Sequence, residues 1–532
     1  MFTLSGGHVF PLYDGAVKAE PPMPILDVRH EQTAVFAAEA TAKLTRRPGL
    51  AVLTAGPGIT NGISAVTTAH FNGSPVVVLG GRAADSNWGK GALQELDHPP
   101  LLAPVTKRSD TVHATAELAS ELSDAFALAS APHRGPVFLD LSLEAAFGSA
   151  DHQHGRDDAK PLPAVAAREP DPGSLHEIGA LLARSSKPVL VLGSDVWTDG
   201  AEEAARALAE ETGVPVISNG MGRGILPAGH KQLVTRARSA AFGGADLVIA
   251  AGTPLDFRLG YGMFGGRDGN PLAAVVHLAD SPAQVSTHIG LAASAAGDLT
   301  SVFTGILAAW RSAAATGAYA DWLNTLQDKA SAAVASDAGM LSSSADPIHP
   351  ARIYGELLPR LAEDAVVIGD GGDFVSFAGR FVEPSLPGCW LDPGPYGCLG
   401  TGLGYAIAAR LARPSSQVVL LLGDGAAGFS LMDVDTLVRH RLPVVMVMGN
   451  NSAWGLEKHP MQALYGYDVA VDLNPAARYD QVVTALGGGG ELVTDPRGIG
   501  PALDRAFASG APYLVNVATD PAIAYPRSTT GL

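Results

Sequence analysis

Cysteine is nearly absent. Cys389 and Cys398 are the two in 532 residues, which excludes a disulfide framework and a four-thiolate zinc site and fits a reducing cytoplasm. Positive charge is also scarce: 36 Lys and Arg stand against 53 Asp and Glu, a formal net charge of −17 that repels a phosphate backbone and removes nucleic acid from the expected partners. No run of about 18 uncharged, strongly apolar residues occurs, so no membrane span is expected. The nearest approach, residues 289–310, is rich in Gly, Ser and Thr and holds Asp298. The N-terminus has no basic stretch ahead of an apolar one, so no signal peptide is read there. What is plentiful is apolar side chain (47%), with 62 Gly and 38 Pro, the profile of a buried, turn-rich α/β enzyme. The length exceeds what one hydrophobic core supports and points to about three domains.

Two stretches read as linkers, 151–172 (charged, Pro-rich) and 335–350 (small, polar, ending in Pro), which divide the chain into 1–150, 172–334 and 350–532. Each segment holds short β-branched runs bounded by Gly and followed by Ala-rich stretches: 75–81, 187–193, 245–252 and 416–425. That alternation predicts parallel sheets with ligand crevices at the strand C-termini. The outer segments also look alike. LAVLTAGPG at Leu50 faces QVVLLLGDG at Gln417, and SPVVVLGG at Ser74 faces LPVVMVMG at Leu442, offsets of 367 and 368. Upstream, FAAEATAKLTRRP from Phe36 faces YAIAARLARP from Tyr405. The expectation is a duplicated α/β domain flanking a different, Rossmann-like one, with the duplicates paired face to face around a ligand.

The third segment carries Gly423-Asp424-Gly425 and, 27 residues after Asp424, Asn451 in the pair Asn450-Asn451. Both follow strand-like runs. A hard divalent cation such as Mg²⁺ wants oxygen ligands, here Asp424, the Asn451 amide and a backbone carbonyl at Ala453, with a diphosphate and water completing the shell. The glycines let backbone N–H groups approach that diphosphate, and a helix starting near Ala426 points its positive end there.

With these residues the chain resembles the thiamine diphosphate enzymes, whose signature is GDG, a spacer of this length, then NN. It is most similar to the acetolactate synthase-like group, including the related 2-hydroxyacyl-CoA lyases and oxalyl-CoA decarboxylases. The resemblance implies a pyrimidine-binding, a central and a pyrophosphate-binding domain, and a homodimer or homotetramer whose active sites lie between subunits. Arg29-His30-Glu31-Gln32 matches the family's RHEQ, which makes Glu31 the catalytic carboxylate against N1′ of the aminopyrimidine, the contact that lets the cofactor lose its C2 proton. Gly397 and Leu399 of GCLG match the place where the family bends the cofactor. Gly6, Gly7, Gly56, Pro57, Asn61, Gly372 and Asp373 are further candidate cofactor contacts, and Gln94 and Lys107 candidates for a second-substrate pocket.

Two departures bear on the substrate. Leu93 stands in ALQE where acetolactate synthases carry AFQE, and Glu457 falls six residues after Asn451, where keto acid decarboxylases of the superfamily place a proton-transferring glutamate. Ala237-Arg238-Ser239 resembles the CoA-dependent members, so FAD or ADP is expected in the central domain with Arg238 and Asp280 as contacts, Asp280 taking a ribose hydroxyl. The leading expectation is an acetolactate synthase-type enzyme that decarboxylates a 2-keto acid such as pyruvate and joins the product to a second carbonyl compound, in branched-chain amino acid synthesis. The alternative is a lyase that cleaves a 2-hydroxyacyl-CoA to a carbonyl compound and formyl-CoA. An oxidoreductase is disfavoured because GTGLG (400–404) and GMGRG (220–224) are not GxGxxG turns after a strand with an acid about 20 residues on. A non-catalytic scaffold would require loss of Glu31, Asp424 or Asn451, and all three are present. Family members normally begin with a helix and strand ahead of Phe2, so a late start or a truncation is also expected.

Overall fold

The computed structural model describes residues 1–150, 168–265, 272–313 and 319–525. They form three α/β domains, each around a wholly parallel sheet. The first contains β1 (Phe2–Thr3), β2 (Leu26–Asp27), β3 (Gly49–Leu53), β4 (Val76–Gly81), β5 (Arg108–Val112) and β6 (Val137–Leu141), in the order β2-β1-β3-β4-β6-β5. The central domain holds β7 (Pro188–Leu192), β8 (Val216–Ser218), β9 (Leu247–Ala251), β10 (Ala274–Ala279) and β11 (Ala293–Ala296), ordered β11-β10-β9-β7-β8. The third is built from β12 (Val366–Asp370), β13 (Trp390–Leu391), β14 (Val418–Gly423), β15 (Val445–Asn450), β16 (Gly489–Val493) and β17 (Tyr513–Ala518), ordered β13-β12-β14-β15-β17-β16. Numbered within each domain, the first and third sheets share one order, 2-1-3-4-6-5. The duplication inferred from the offsets is therefore one of topology as well as of local sequence.

Equivalent helices join the duplicates. Glu31–Thr45 packs against Thr401–Ala412, and both are rich in Ala and buried along most of their length. Small residues let the axes approach closely: a Cβ on Gly404 would lie 2.7 Å from Phe36 Cβ and 3.0 Å from the Thr33 carbonyl. The junction also encloses Glu39, fully buried, which accepts from Asn72 Nδ2 (2.7 Å), Ser74 Oγ (3.2 Å) and Tyr405 Oη (2.8 Å), with Lys43 Nζ at 3.7 Å. A buried carboxylate is tolerated there because its lone pairs and charge are matched.

One expected linker is shorter than the sequence implies. Residues 335–341 continue the helix Ala320–Leu341, whose alanines favour helix over loop, and its buried Asp337 is bridged by Arg236 and Arg380. Of the other linker, residues 151–167 lie outside the described residues. No helix among the described residues is long and apolar enough to cross a membrane.

Candidate active site

At the C-terminal ends of β12, β14 and β15 lies a cavity of about 260 Å³. Its wall contains Gly372, Asp373, Gly397, Leu399, Gly423, Asp424, Gly425, Ala426, Asn451, Ala453 and Glu457. Strand pairing places Gly423 opposite Gly449, so the turn after β14 and the turn after β15 face one space. Substituting glycines there would fill it: a Cβ on Gly425 would stand 2.6 Å from Trp454, and one on Gly372 2.7 Å from Leu456. The helices Asp424–Ser430 and Asp373–Phe381 both begin at the cavity and leave N–H groups at its wall.

Asp424 is 3% exposed, and its Oδ2 is buried without a hydrogen-bond partner. Burial pushes its carboxyl up to about 6, against the pull of N–H groups at Gly425, Asp424, Ser452 and Ala453. An orphaned buried carboxylate oxygen beside an amide and a carbonyl-bearing turn is the donor set a hard divalent cation takes, so Asp424, Asn451 and Ala453 fit Mg²⁺. Asn450 turns elsewhere. Its Nδ2 donates to Asn516 Oδ1 (3.1 Å) and its Oδ1 accepts from the N–H of Ser452 (3.2 Å). It is thereby a brace for the Ser452 turn, φ 55°, that presents Asn451 and Ala453, and it does not line the cavity.

Leu399 is held by a carboxylate that sequence reading passed over. Asp370, fully buried at the end of β12, accepts from the N–H groups of Gly400 (3.0 Å) and Gly402 (2.8 Å). Burial lifts its carboxyl to about 6, and those two bonds oppose the lift. Gly400 sits at φ 86°, where a side chain would be strained and its Cβ would lie 2.6 Å from Phe429. Glu457 is exposed in the first turn of the helix Gly455–Tyr465. Its neighbour Lys458 pairs with Asp472 (2.5 Å) and Asp468 (3.7 Å) and so leaves Glu457 facing the cavity without a cation among the described ion pairs.

No residue of the first domain lines this cavity. The first domain instead groups its own candidates. Glu31, 7% exposed, opens its helix behind the cap residue His30, and its Oε2 accepts from Asn61 Nδ2 at 3.1 Å. A Cβ on Gly58 would come within 3.8 Å of Glu31 Oε1, and one on Gly6 within 2.2 Å of Thr54 Cβ. Gly6, Thr54 and the 55–58 turn with Gly56 and Pro57 are therefore one close-packed wall, and Gly7 follows directly with nothing within 4 Å of a Cβ placed on it. Gln94 packs on Gly56, and Leu93 is 78% exposed beside it. Two histidines that sequence reading missed lie here: His8, whose Nδ1 is 3.3 Å from Thr54 Oγ1, and fully buried His98, which accepts the N–H of Gly56 (2.9 Å).

Three further candidates are placed apart from these groups. Lys107 is turned inward, donating to the carbonyls of Ala131 (2.6 Å) and His133 (2.8 Å); burial first, then Arg134, brings its ammonium down to about 8. That makes it a tether for the 131–134 loop in place of the expected substrate contact. Arg238 and Asp280 do not share a cavity. Asp280 is 1% exposed, and both its oxygens lie 3.0 Å from His133 Nδ1, so it is turned toward the first domain. The crevice beside it is about 60 Å³, and Asp195, raised to about 7 by burial, lines it. Arg238 instead lines a separate, larger cavity of about 760 Å³, so the two expected contacts do not form one nucleotide site.

Comparison with known proteins agrees with this geometry. Family models described as the N-terminal TPP binding domain, the central domain and the C-terminal TPP binding domain of thiamine pyrophosphate enzymes match residues 1–101, 175–306 and 370–517. The chain is similar to the acetolactate synthase large subunit IlvG of Mycobacterium tuberculosis, 48% identical over 99% of this chain and 94% of that one. It is also similar to 2-hydroxyacyl-CoA lyase 2 of Caenorhabditis elegans and of Bos taurus, each 32% identical over 93% of this chain and 82% of theirs. By these matches, which span all three domains, the chain belongs to the thiamine pyrophosphate enzyme family, among its C–C bond forming and cleaving members.

Proposed function

We propose that the protein is an acetolactate synthase-type carboligase using thiamine diphosphate and Mg²⁺, taking a 2-keto acid such as pyruvate as donor and a second carbonyl compound as acceptor. The buried, unpartnered Oδ2 of Asp424, on the same cavity wall as Asn451 and Ala453, carries the reading, because its ionised form is left unmatched there and a cation would match it. The likeness to IlvG, an acetolactate synthase large subunit, supports the reaction type. A place in branched-chain amino acid synthesis is part of the same proposal, and the two cysteines in 532 residues fit a cytoplasmic setting.

Bound there, thiamine diphosphate would supply at C2 the nucleophile and electron sink that decarboxylation of a 2-keto acid requires. Glu31 holds a proton at N1′ of the aminopyrimidine, oriented by Asn61. Leu399, on the cavity wall and fixed by Asp370 through Gly400, would pack against the cofactor there. Glu457, at the mouth of the cavity, donates or takes a proton at the acceptor. Because the Glu31 wall and the Asp424 cavity are separate in one chain, the working unit is a homodimer or a pair of dimers in which two chains face each other. Leu93 (78% exposed), Tyr465 (66%) and Phe429 (51%) are apolar groups that such pairing would cover.

One observation favours the acyl-CoA alternative. Between the central and third domains lies a cavity of about 760 Å³ lined by Arg223, Arg236, Arg238, Arg258, Lys329 and Arg380. Arg238 has no carboxylate partner among the described ion pairs, and its guanidinium is brought down to about 10 by burial and by Arg223 and Arg258. A second space of about 470 Å³ shares Arg223 and Arg258 with it and Gly372, Gly397 and Leu456 with the diphosphate cavity. The cationic end suits phosphates and the narrower passage a flexible arm reaching the reacting carbon. With thiamine diphosphate and Mg²⁺ present, pyruvate is expected to yield acetolactate while a 2-hydroxyacyl-CoA stays intact. The opposite pair of results replaces the carboligase with the lyase.

A further inference from the structure

The turn 55–58 is where the first domain's two candidate groups meet. Gly56 adopts φ 60° and ψ −112°, a conformation only glycine takes readily, and a Cβ there would lie 2.9 Å from Gln94 Cβ. Such a turn persists when something outside it holds it. Here the holder is His98, whose Nε2 receives the Gly56 N–H at 2.9 Å. A backbone N–H can only donate, so Nε2 carries no proton; the proton is on Nδ1 and points at Asp140, whose oxygens are both 3.1 Å away. Asp140 is itself fully buried and receives Arg82 Nη1 at 3.1 Å, while Arg82 also reaches Asp97 (3.2 Å) and lies over the Trp88 ring at 3.6 Å. The relay runs Arg82, Asp140, His98, Gly56, and Asp140 is matched on both sides, by the Arg82 guanidinium and by the His98 ring.

We infer that His98, locked as the neutral Nδ1–H tautomer by Asp140, is a positioning residue for the pyrimidine-side half-site: through the Gly56 N–H it sets the turn whose far side adjoins Glu31 and whose near side carries Gln94. Asn61, on the helix that follows the turn, donates to Glu31 Oε2, and Gly58 is close enough that a Cβ on it would lie 3.8 Å from Oε1. A shift of the turn therefore moves Glu31's partners and Gln94 together, although His98 touches neither. A displacement of about 1 Å at such a distance from the chemistry is enough to cost on the order of 100-fold in rate.

The inference rests on the thiamine diphosphate reading, and its test needs no knowledge of the substrate: hydrogen–deuterium exchange at C2 of thiamine diphosphate bound to the holoenzyme with Mg²⁺, at saturating cofactor. His98→Asn keeps a donor for Asp140 but is too short to accept from Gly56. His98→Gln places its amide oxygen near the position of Nε2, where it can accept from Gly56. Exchange is expected to slow about tenfold or more in His98→Asn and to return to within about threefold of wild type in His98→Gln, with cofactor affinity unchanged in both. Wild-type exchange in His98→Asn, or equally slow exchange in the two variants, overturns the role. Failure of wild-type protein to bind or exchange the cofactor at all would instead remove the underlying functional reading.

Discussion

Glu31→Gln is expected to lower kcat by about 1,000-fold, in the upper part of the range that a positioned acid–base group supplies, while thiamine diphosphate and Mg²⁺ still bind. The substitution keeps the shape and leaves an amide oxygen for Asn61, which now donates to Oε2. What is lost is the capacity to hold a charge and share a proton with N1′ in a setting where Glu31 is only 7% exposed. The expected Mg²⁺ and diphosphate contacts belong to the other half of the site, the Asp424 cavity, which no first-domain residue lines. Turnover and binding should therefore separate cleanly. Rates from steady-state assays, set beside cofactor titration by calorimetry, check both; a variant with unchanged kcat removes Glu31 from the mechanism.

Asp424→Ala is expected to do the reverse and weaken Mg²⁺-dependent cofactor binding by more than about 100-fold, exceeding the usual loss from outer-shell changes at metal sites. Alanine removes the single charged ligand of the set and leaves Asn451 and Ala453, two neutral oxygens, to face a divalent ion. The same residue sets a pH dependence in the wild type. Its carboxyl rises from 3.8 unfolded to about 6 folded through burial, so the cation-free folded chain holds this proton more tightly than the unfolded one. Stability linked to this group is present at low pH and declines as pH rises from about 4 to 6. Cation binding needs the carboxylate, so apparent Mg²⁺ affinity should fall up to about tenfold per unit below pH 6 and level off above it. Normal cofactor affinity in Asp424→Ala would contradict the metal assignment.

Much of the architecture was legible because it rests on local pattern. Gly-bounded β-branched runs became β4, β7, β9 and β14 nearly residue for residue, and near-constant offsets between the ends anticipated two sheets of one strand order. Glycine motifs were readable for the same reason: GDG, GCLG and the 55–58 turn lie where backbone must come close to something. Side-chain direction was not legible. Asn450 and Asn451 are adjacent, yet one braces a turn and the other faces the cavity, a choice made by Asn516 on β17. Lys107 and Asp280 are polar residues near strand ends, as ligand contacts would be, but each finds its partner in the loop around His133. Asp370 and His98 act on glycines 30 and 42 residues away, and no spacing rule connects them to those turns. The start of the second linker, 335–341, is helical because its small residues suit a helix as well as a loop once Asp337 gains two arginines.

The central claim is that a working site combines the Glu31 wall of one chain with the Asp424 cavity of another. Mixing the two inactive variants, Glu31→Gln and Asp424→Ala, and letting subunits exchange tests it directly. If sites lie between chains, half of the randomly formed dimers pair unlike subunits, and each such dimer has one site with both halves intact, so activity should recover to about a quarter of wild type. If each chain builds its own site, every site carries one defect and the mixture stays as inactive as its components, which would contradict the account.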